Sequence, residues 1–305
     1  LELESIPASL LVVGGSYIGL EMGSVYAALG SRVSVVEMMS GLIPLADRDL
    51  IKPLADRLEQ RFAQISLSTK VQGIQEREGG FEVSFEDSQG KAWTEVYEKV
   101  LVAVGRKPNS EDLGLENTRV KITPRGFVEV DVQRRTAEPS IFAIGDLTGA
   151  PMLAHKASHE AAVAAEVIAG HKAAFEPNAI PAVIFTDPEI AWCGLTETQA
   201  QEQQRPIAVA RFPWAASGRA TTLDRSEGLT KLILDPDTQR ILGVGIVGVG
   251  AGELIAEGTL AVEMAALATD LKLTIHPHPT LSETLMEAAE VFYGQSAHLY
   301  TPPKR

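Results

Sequence analysis

The stretch Leu10-Leu11-Val12-Val13-Gly14-Gly15-Ser16-Tyr17-Ile18-Gly19 decides the fold. Four consecutive apolar residues read as a strand buried on both faces, the pattern of a parallel sheet. The run ends in a glycine-rich turn, and a helix follows through Leu20, Val25 and Leu29 to Gly30. The next strand, Arg32 to Val36, is closed by Glu37. The result is a βαβ unit of the dinucleotide-binding kind. Gly14 permits the tight turn, Gly15 and Ser16 bring backbone towards a ligand, and Gly19 lets helix and strand pack closely. A pyrophosphate would sit on the exposed amides of the helix start. Glu37 follows Gly19 by 18 residues, where a carboxylate accepts both hydroxyls of an adenosine ribose and repels a 2′-phosphate, which favours NAD over NADP. Ser16 stands where the middle glycine is usual. The plainer alternative is a Rossmann turn kept for packing alone.

Working outward, a second helix is expected around Asp49 to Phe62, with Leu50, Leu54 and Leu58 at helical spacing and Pro53 near its first turn. From Ile65 to Val104 the period shifts to two, with turns at Gly79-Gly80 and Ser88-Gln89-Gly90. Gly105-Arg106-Lys107-Pro108-Asn109 is a loop. Short strands are expected at Phe127–Val130 and Ile141–Asp146, then a helix from Ala154 to Ile168. Beyond Ile180 the chain reads as α+β, with a hairpin of Leu229–Leu234 and Ile241–Val247 around Asp235-Pro236-Asp237-Thr238.

Bulk properties narrow the function. The chain of 305 residues is 45% hydrophobic and 22% charged, the balance of a globular protein with room for two or three domains. A net charge of −13 argues against nucleic acid and anionic membranes, and suits a basic protein partner. The single cysteine, Cys193, lies in an apolar run and reads as a buried structural thiol, so no thiol pair and no metal site is expected. The run Ile241 to Gly252 is too short to span a bilayer, and Leu-Glu-Leu-Glu at the start resembles no signal peptide, so a cytoplasmic location is expected.

Two further segments carry chemistry. Thr136-x4-Ile141-Phe142-Ala143-Ile144-Gly145-Asp146 ends a strand in Gly-Asp, where Asp146 can accept sugar or ribityl hydroxyls and Gly145 allows close backbone approach. Met152-Leu153-Ala154-His155 then opens a helix whose amides face outward. Near the C-terminus stands His276-Pro277-His278-Pro279-Thr280-Leu281-Ser282-Glu283. Pro279 disfavours the helical conformation at His278, so that side chain projects from an extended arm. Thr280 reads as an N-cap with Glu283 at N3, followed by Leu281, Leu285, Ala288 and Phe292 on one face and a stop at Gly294. A histidine held beside a glutamate is a general acid–base pair. An ordinary capping box is the alternative reading of the same residues.

The order of these motifs resembles the flavin-dependent pyridine-nucleotide disulfide oxidoreductase family. The resemblance runs through the Gly14–Gly19 turn, Gly105-Arg-x-Pro-Asn, the Thr136–Asp146 motif and His276 to Glu283, and covers essentially the whole chain. Within the family, Gly19-Leu20-Glu21-Met22-Gly23 and Met152-Leu153-Ala154-His155-Lys156 are most similar to the branch that oxidises dihydrolipoamide with FAD and NAD. The resemblance implies an α/β fold of three parts: a Rossmann-like NAD-binding domain over 1–122, a remnant of a split FAD-binding domain over 123–179, and a C-terminal α+β dimerisation domain over 180–305. It implies His278 as proton acceptor for a dithiol and Glu283 as its orienting group, working on the opposite subunit of a homodimer. Gly14, Gly15, Ser16, Gly19, Glu21 and Glu37 would bind NAD, with Glu21 at the nicotinamide end. Gly105, Gly145, Asp146, Met152, Leu153, Ala154 and His155 would bind FAD. His276 reads as structural support for the loop. The implied partner is dihydrolipoamide on the lipoyl domain of an acyltransferase, in a 2-oxo acid dehydrogenase complex or the glycine cleavage system, with a basic subunit-binding domain alongside. The family also has a preceding segment with the first flavin turn and a Cys-x4-Cys pair, so the chain is expected to be the C-terminal two-thirds of a longer enzyme. A glutathione-reductase-like enzyme and a non-catalytic NAD-binding dimer remain the alternatives.

Overall fold

The computed structural model describes residues 3–299, which form two compact units, residues 3–104 with 181–299 and residues 105–180. The first unit begins with β1 (Ser9–Val13), whose Leu10, Leu11 and Val12 are buried. After α1 (Tyr17–Ala28) comes β2 (Arg32–Val36), then α2 (Arg48–Arg61) and β3 (Gln64–Ser66). Next are β4 (Thr69–Arg77), β5 (Gly80–Asp87), β6 (Ala92–Tyr97) and β7 (Lys99–Val102). The order β3-β2-β1-β7 makes a fully parallel sheet, while β4-β5-β6 is an antiparallel meander. A parallel sheet must be covered on both faces, which explains the unbroken apolar run of β1 and the burial of Val33, Val35 and Val36 in β2. Pro53 falls in the second turn of α2 rather than the first, with its missing N–H opposite Asp49.

The second unit contains one long helix, α3 (Ala154–Ile168), with the bounds expected from sequence. Neither expected strand forms there. Phe127–Val130 contributes only a bridge between Ile122 and Val128, and Ile141–Asp146 only one between Arg135 and Phe142. Gly145–Thr148 instead makes a 3-10 turn. The physical reason is that a strand needs a ladder beside it. Here the backbone bonds go to scattered partners, one a distant loop residue and one a local turn: Val128 N–H to Leu147 O at 2.8 Å and Thr136 N–H to Ile141 O at 3.1 Å.

The chain returns to the first unit through β8 (Ala182–Ile184), β9 (Glu189–Gly194), α4 (Glu197–Glu202), β10 (Ala208–Pro213) and α5 (Gly218–Thr222). The hairpin β11 (Leu229–Leu234) and β12 (Ile241–Gly248) follows, then α6 (Ala251–Glu263), α7 (Ala268–Leu273) and α8 (Glu283–Phe292). The antiparallel sheet runs β10-β11-β12-β9-β8. α2 crosses it closely, because Gly245 leaves room for Leu50: a Cβ there would lie 2.7 Å from the leucine. α6 lies on the same sheet, with Gly258 against Val244. No helix among the described residues is long and apolar enough to cross a membrane.

Candidate functional site

The glycine turn after β1 is built for close approach. Gly14 has φ +111°, and a Cβ there would lie 2.4 Å from the Ala103 carbonyl oxygen. A Cβ on Gly19 would lie 2.1 Å from the Gly14 oxygen, so helix and strand meet at van der Waals limit. Ser16 is the N-cap of α1, its side chain makes no capping bond, and no acidic residue lies in the first turn. The amides at that end are therefore not answered by a side-chain cap, which suits a pyrophosphate. Glu37 sits beside them. Its Oε2 accepts from the Gly15 amide at 2.6 Å and its Oε1 from the Met39 amide at 2.7 Å. Each oxygen retains lone pairs for a ribose hydroxyl. Glu21, on α1, accepts from the Phe185 amide at 2.9 Å. These residues fit a dinucleotide.

In the second unit, Gly145 (φ +73°) and Asp146 lie in the 3-10 turn. The Asp146 side chain is 46% exposed and meets Arg106 at 3.1 Å, and Arg106 also donates to the Met152 carbonyl at 3.2 Å. Gly105 (φ +138°) has open space where a Cβ would stand. Leu153 is the N-cap of α3 with no side-chain capping bond, followed by Ala154 and an exposed His155. An exposed carboxylate beside an uncapped helix start fits a polyhydroxylated chain next to an electron-rich ring.

What holds this turn is a residue that sequence reasoning missed. Glu160 is fully buried, and its Oε2 accepts from the Gly145 amide at 2.6 Å. Arg134 and Lys156 each reach its Oε1 at 2.9 Å, and Thr148 donates to it at 3.2 Å. The only available signal was the Lys156–Glu160 spacing of four on an alanine-rich helix.

The C-terminal arm brings His278 and Glu283 together. His278 Nδ1 lies 2.9 Å from Glu283 Oε1. That bond assigns the hydrogen to Nδ1 and leaves Nε2 as the nitrogen able to take a proton. The His278 side chain is 70% exposed, whereas Glu283 is 18% exposed. Burial works to raise the Glu283 carboxyl, but the Thr280 amide and then His278 prevail and hold it below the usual range.

The expected cap differs in detail. Thr280 N–H does donate to Glu283 Oε2 at 2.7 Å, yet the Thr280 hydroxyl donates to the Pro277 carbonyl at 2.7 Å instead of capping. The helix starts at Glu283 with Ser282 as N-cap, and Gly294 (φ +67°) follows its end. One Glu283 oxygen thus serves the backbone while the other serves the histidine. The start of α8 is fixed from below: Thr230 Oγ1 and Thr284 Oγ1 are 2.8 Å apart, and Trp214 Nε1 donates to Thr230 at 2.9 Å. Trp214, Thr230 and Thr284 are all buried. Gly228 and Gly248 make space for the indole, a packing that no local pattern announced.

A second missed cluster joins α2 to the antiparallel sheet. Lys231 is 1% exposed, and its ammonium lies 2.7 Å from Asp47, 2.7 Å from Asp49 and 2.8 Å from Glu197. The three carboxylates approach one another as closely as metal ligands do, and Lys231 supplies the cation at their centre. Burial favours neutral Asp47, but the Lys231 bond and the amides of Glu197 and Thr198 outweigh it and hold the carboxyl low. Cys193 is buried, and desolvation pushes its thiol up to about 11.

Comparison with known proteins identifies the family of the chain. Residues 1–161 match the family model described as pyridine nucleotide-disulphide oxidoreductase, and residues 180–289 match its dimerisation domain. A dihydrolipoyl dehydrogenase of Vibrio parahaemolyticus is 50% identical over 299 residues, covering 98% of this chain and 63% of the relative. One of Haemophilus influenzae is 50% identical over 301 residues, covering 98% and 62%. The chain therefore spans under two thirds of these curated relatives. Among solved structures, the HOCl-induced flavoprotein disulfide reductase RclA of Escherichia coli superposes with a TM-score of 0.85 at 29% identity, over 96% of this chain and 66% of that one. LpdA of Mycobacterium tuberculosis gives 0.86 at 26% identity, over 95% and 62%.

Proposed function

The chain belongs to the pyridine nucleotide-disulphide oxidoreductase family, and on that footing we propose that it works within a dihydrolipoyl dehydrogenase. The reaction is oxidation of protein-bound dihydrolipoamide to the cyclic disulfide, with NAD+ taking two electrons and one proton as NADH and a second proton released. The observation that carries this reading is the His278–Glu283 pair at 2.9 Å, in a chain half identical to dihydrolipoyl dehydrogenases.

His278 Nε2 takes a proton from a substrate thiol, because a thiolate and not a thiol is the competent nucleophile. Glu283 keeps the hydrogen on Nδ1 and stabilises the imidazolium that forms. Its own anchoring at the Thr280 amide keeps it from turning away. Flavin, when bound, supplies the two-electron relay between thiol and nicotinamide chemistry. Asp146 would hold its ribityl chain, with Gly105, Gly145 and Met152 to His155 around it. Gly14, Gly15, Ser16 and Gly19 would cradle the NAD pyrophosphate, Glu37 the adenosine ribose, and Glu21 would stand at the nicotinamide end. We take residues 1–122 as the NAD-binding part, 123–179 as the part completing the flavin domain, and 180–305 as the interface of a homodimer. In that dimer His278 of one subunit serves the site of the other. The dithiol would arrive on the lipoyl domain of an acyltransferase, and the acidic surface suits a basic docking domain.

The test is an assay of the intact protein with dihydrolipoamide and with glutathione, each against NAD+ and NADP+. Oxidation of dihydrolipoamide with NAD+ is the expected result. Preference for glutathione disulfide and NADPH would replace the reading with a glutathione-reductase-like one.

A further inference from the structure

Two residues before His278 stands His276, which the acid–base reading leaves without a task. Its side chain is 5% exposed, in an arm whose neighbours are open: Ile275 is 96% exposed and the His278 side chain 70%. Both of its ring nitrogens are engaged. Nδ1 lies 3.0 Å from the Thr274 carbonyl oxygen, and Nε2 lies 2.8 Å from Glu257 Oε1. Both partners are acceptors, so both bonds are made together only when each nitrogen carries a hydrogen.

Glu257 is no loose partner. It belongs to α6, which lies on β12 and β9 with Ile255 and Ala261 buried and Gly258 seated against Val244. The bond from His276 therefore ties the arm to a helix fixed on the sheet. At its other end the arm is tied to α8, through the Glu283 contacts to His278 and to the Thr280 amide. The arm that carries His278 is thus tied by two histidine–glutamate pairs whose glutamates belong to different helices. Remove the α6 tie, and the exposed arm beyond Thr274, which bonds to the end of α7, is held only from the α8 side.

We propose that His276 and Glu257 are positioning residues, which hold the arm so that the Nε2 edge of His278 is presented at one fixed place. The inference rests on reading His278 as the proton acceptor. It goes beyond loop support, because it predicts an effect on turnover rather than on folding or ligand affinity. General-base catalysis is sensitive to placement on the scale of an ångström, which is where such a tie acts.

Two substitutions separate the two bonds. His276→Gln places an amide nitrogen near the position of Nε2 and can keep the Glu257 bond. His276→Asn places one near Nδ1 and can keep only the Thr274 bond. In the intact protein, His276→Ala and His276→Asn are expected to lose roughly 10- to 100-fold in kcat for dithiol oxidation, with KM changed less than about twofold. His276→Gln should retain most of the activity. Glu257→Ala should match His276→Ala, and the double variant should be no worse than either. Independently of turnover, the ring-labelled His278 Cε1–H resonance should be single in the wild type and broadened or multiple in His276→Ala. The proposal is overturned if that resonance is unchanged in His276→Ala, or if Asn and Gln retain activity equally. It is also overturned if the loss appears in KM and melting temperature with kcat preserved. Should the wild-type protein oxidise no dithiol, the functional reading falls, and the resonance comparison alone still decides this inference.

Discussion

The carboxylate of Glu37 reaches from the end of β2 to the amide of Gly15, 2.6 Å from that nitrogen, and so ties the end of β2 to the glycine turn. The residue that would read the ribose is also the one that orders the turn meant for the pyrophosphate. Glu37→Gln keeps one acceptor for the turn and loses the charge, whereas Glu37→Ala loses both. We expect Glu37→Ala to weaken NADH binding by about 1.5–3 kcal/mol, the range for hydrogen bonds to a charged group, and Glu37→Gln to weaken it less. Calorimetric titration with NADH measures both. Unchanged affinity in Glu37→Ala would remove Glu37 from the site.

Lys231 presents a different kind of dependence. With 1% exposure it neutralises Asp47, Asp49 and Glu197, and Arg211 reaches only the last two. Lys231→Met would leave Asp47 buried and without the cation bonded to it, at a cost of about 3–5 kcal/mol. Denaturant unfolding of the variant is the measurement, and a loss under about 1 kcal/mol would contradict the account.

The same cluster sets an acid limit. Asp47 and Asp49 of that cluster, and separately Glu283 on the C-terminal arm, are held below their ordinary values in the folded chain. The unfolded chain therefore binds protons first as pH falls, and stability drops with it. Stability from this source is fully present above the ordinary values, 3.8 for the aspartates and 4.5 for Glu283, and is lost as pH falls through the lower folded values. Unfolding midpoints followed from about pH 6 to about pH 2 should be flat and then fall, and Asp47→Asn should flatten the fall.

Cys193, buried and with its thiol pushed up to about 11, should resist thiol reagents at neutral pH. Alkylation followed by peptide mapping should leave Cys193 unlabelled in the native protein and label it after denaturation. Fast native labelling would contradict its burial.

Much of this was legible where the information is local. The run Leu10 to Gly19 carries its own strand, turn and helix start, and α3 and the β11–β12 hairpin lie where periodicity and turn residues put them. The segment Ile141–Asp146 was misread for a clear reason. Apolar extension reports that a segment can pair, and says nothing of whether a ladder lies beside it. Charges were harder still. Asp47, Glu197 and Lys231 are far apart in sequence, and each alone looks like an ordinary surface charge. Glu160 is hidden the same way within a helix of alanines. Thr280 fits the capping pattern, yet its hydroxyl prefers the Pro277 carbonyl, a choice set by the folded arm. The pairing of His278 with Glu283 was legible as a candidate, while the tie from His276 to Glu257 spans 19 residues and needed the fold.

The most direct test of the central claim is turnover of His278→Gln in the intact protein, measured beside its affinity for NADH. Removing a general base should lower dihydrolipoamide oxidation by roughly 10²- to 10⁴-fold, while NADH binds as tightly as to the wild type. Near-normal oxidation by His278→Gln would contradict the account and leave Glu283 with its helix cap alone.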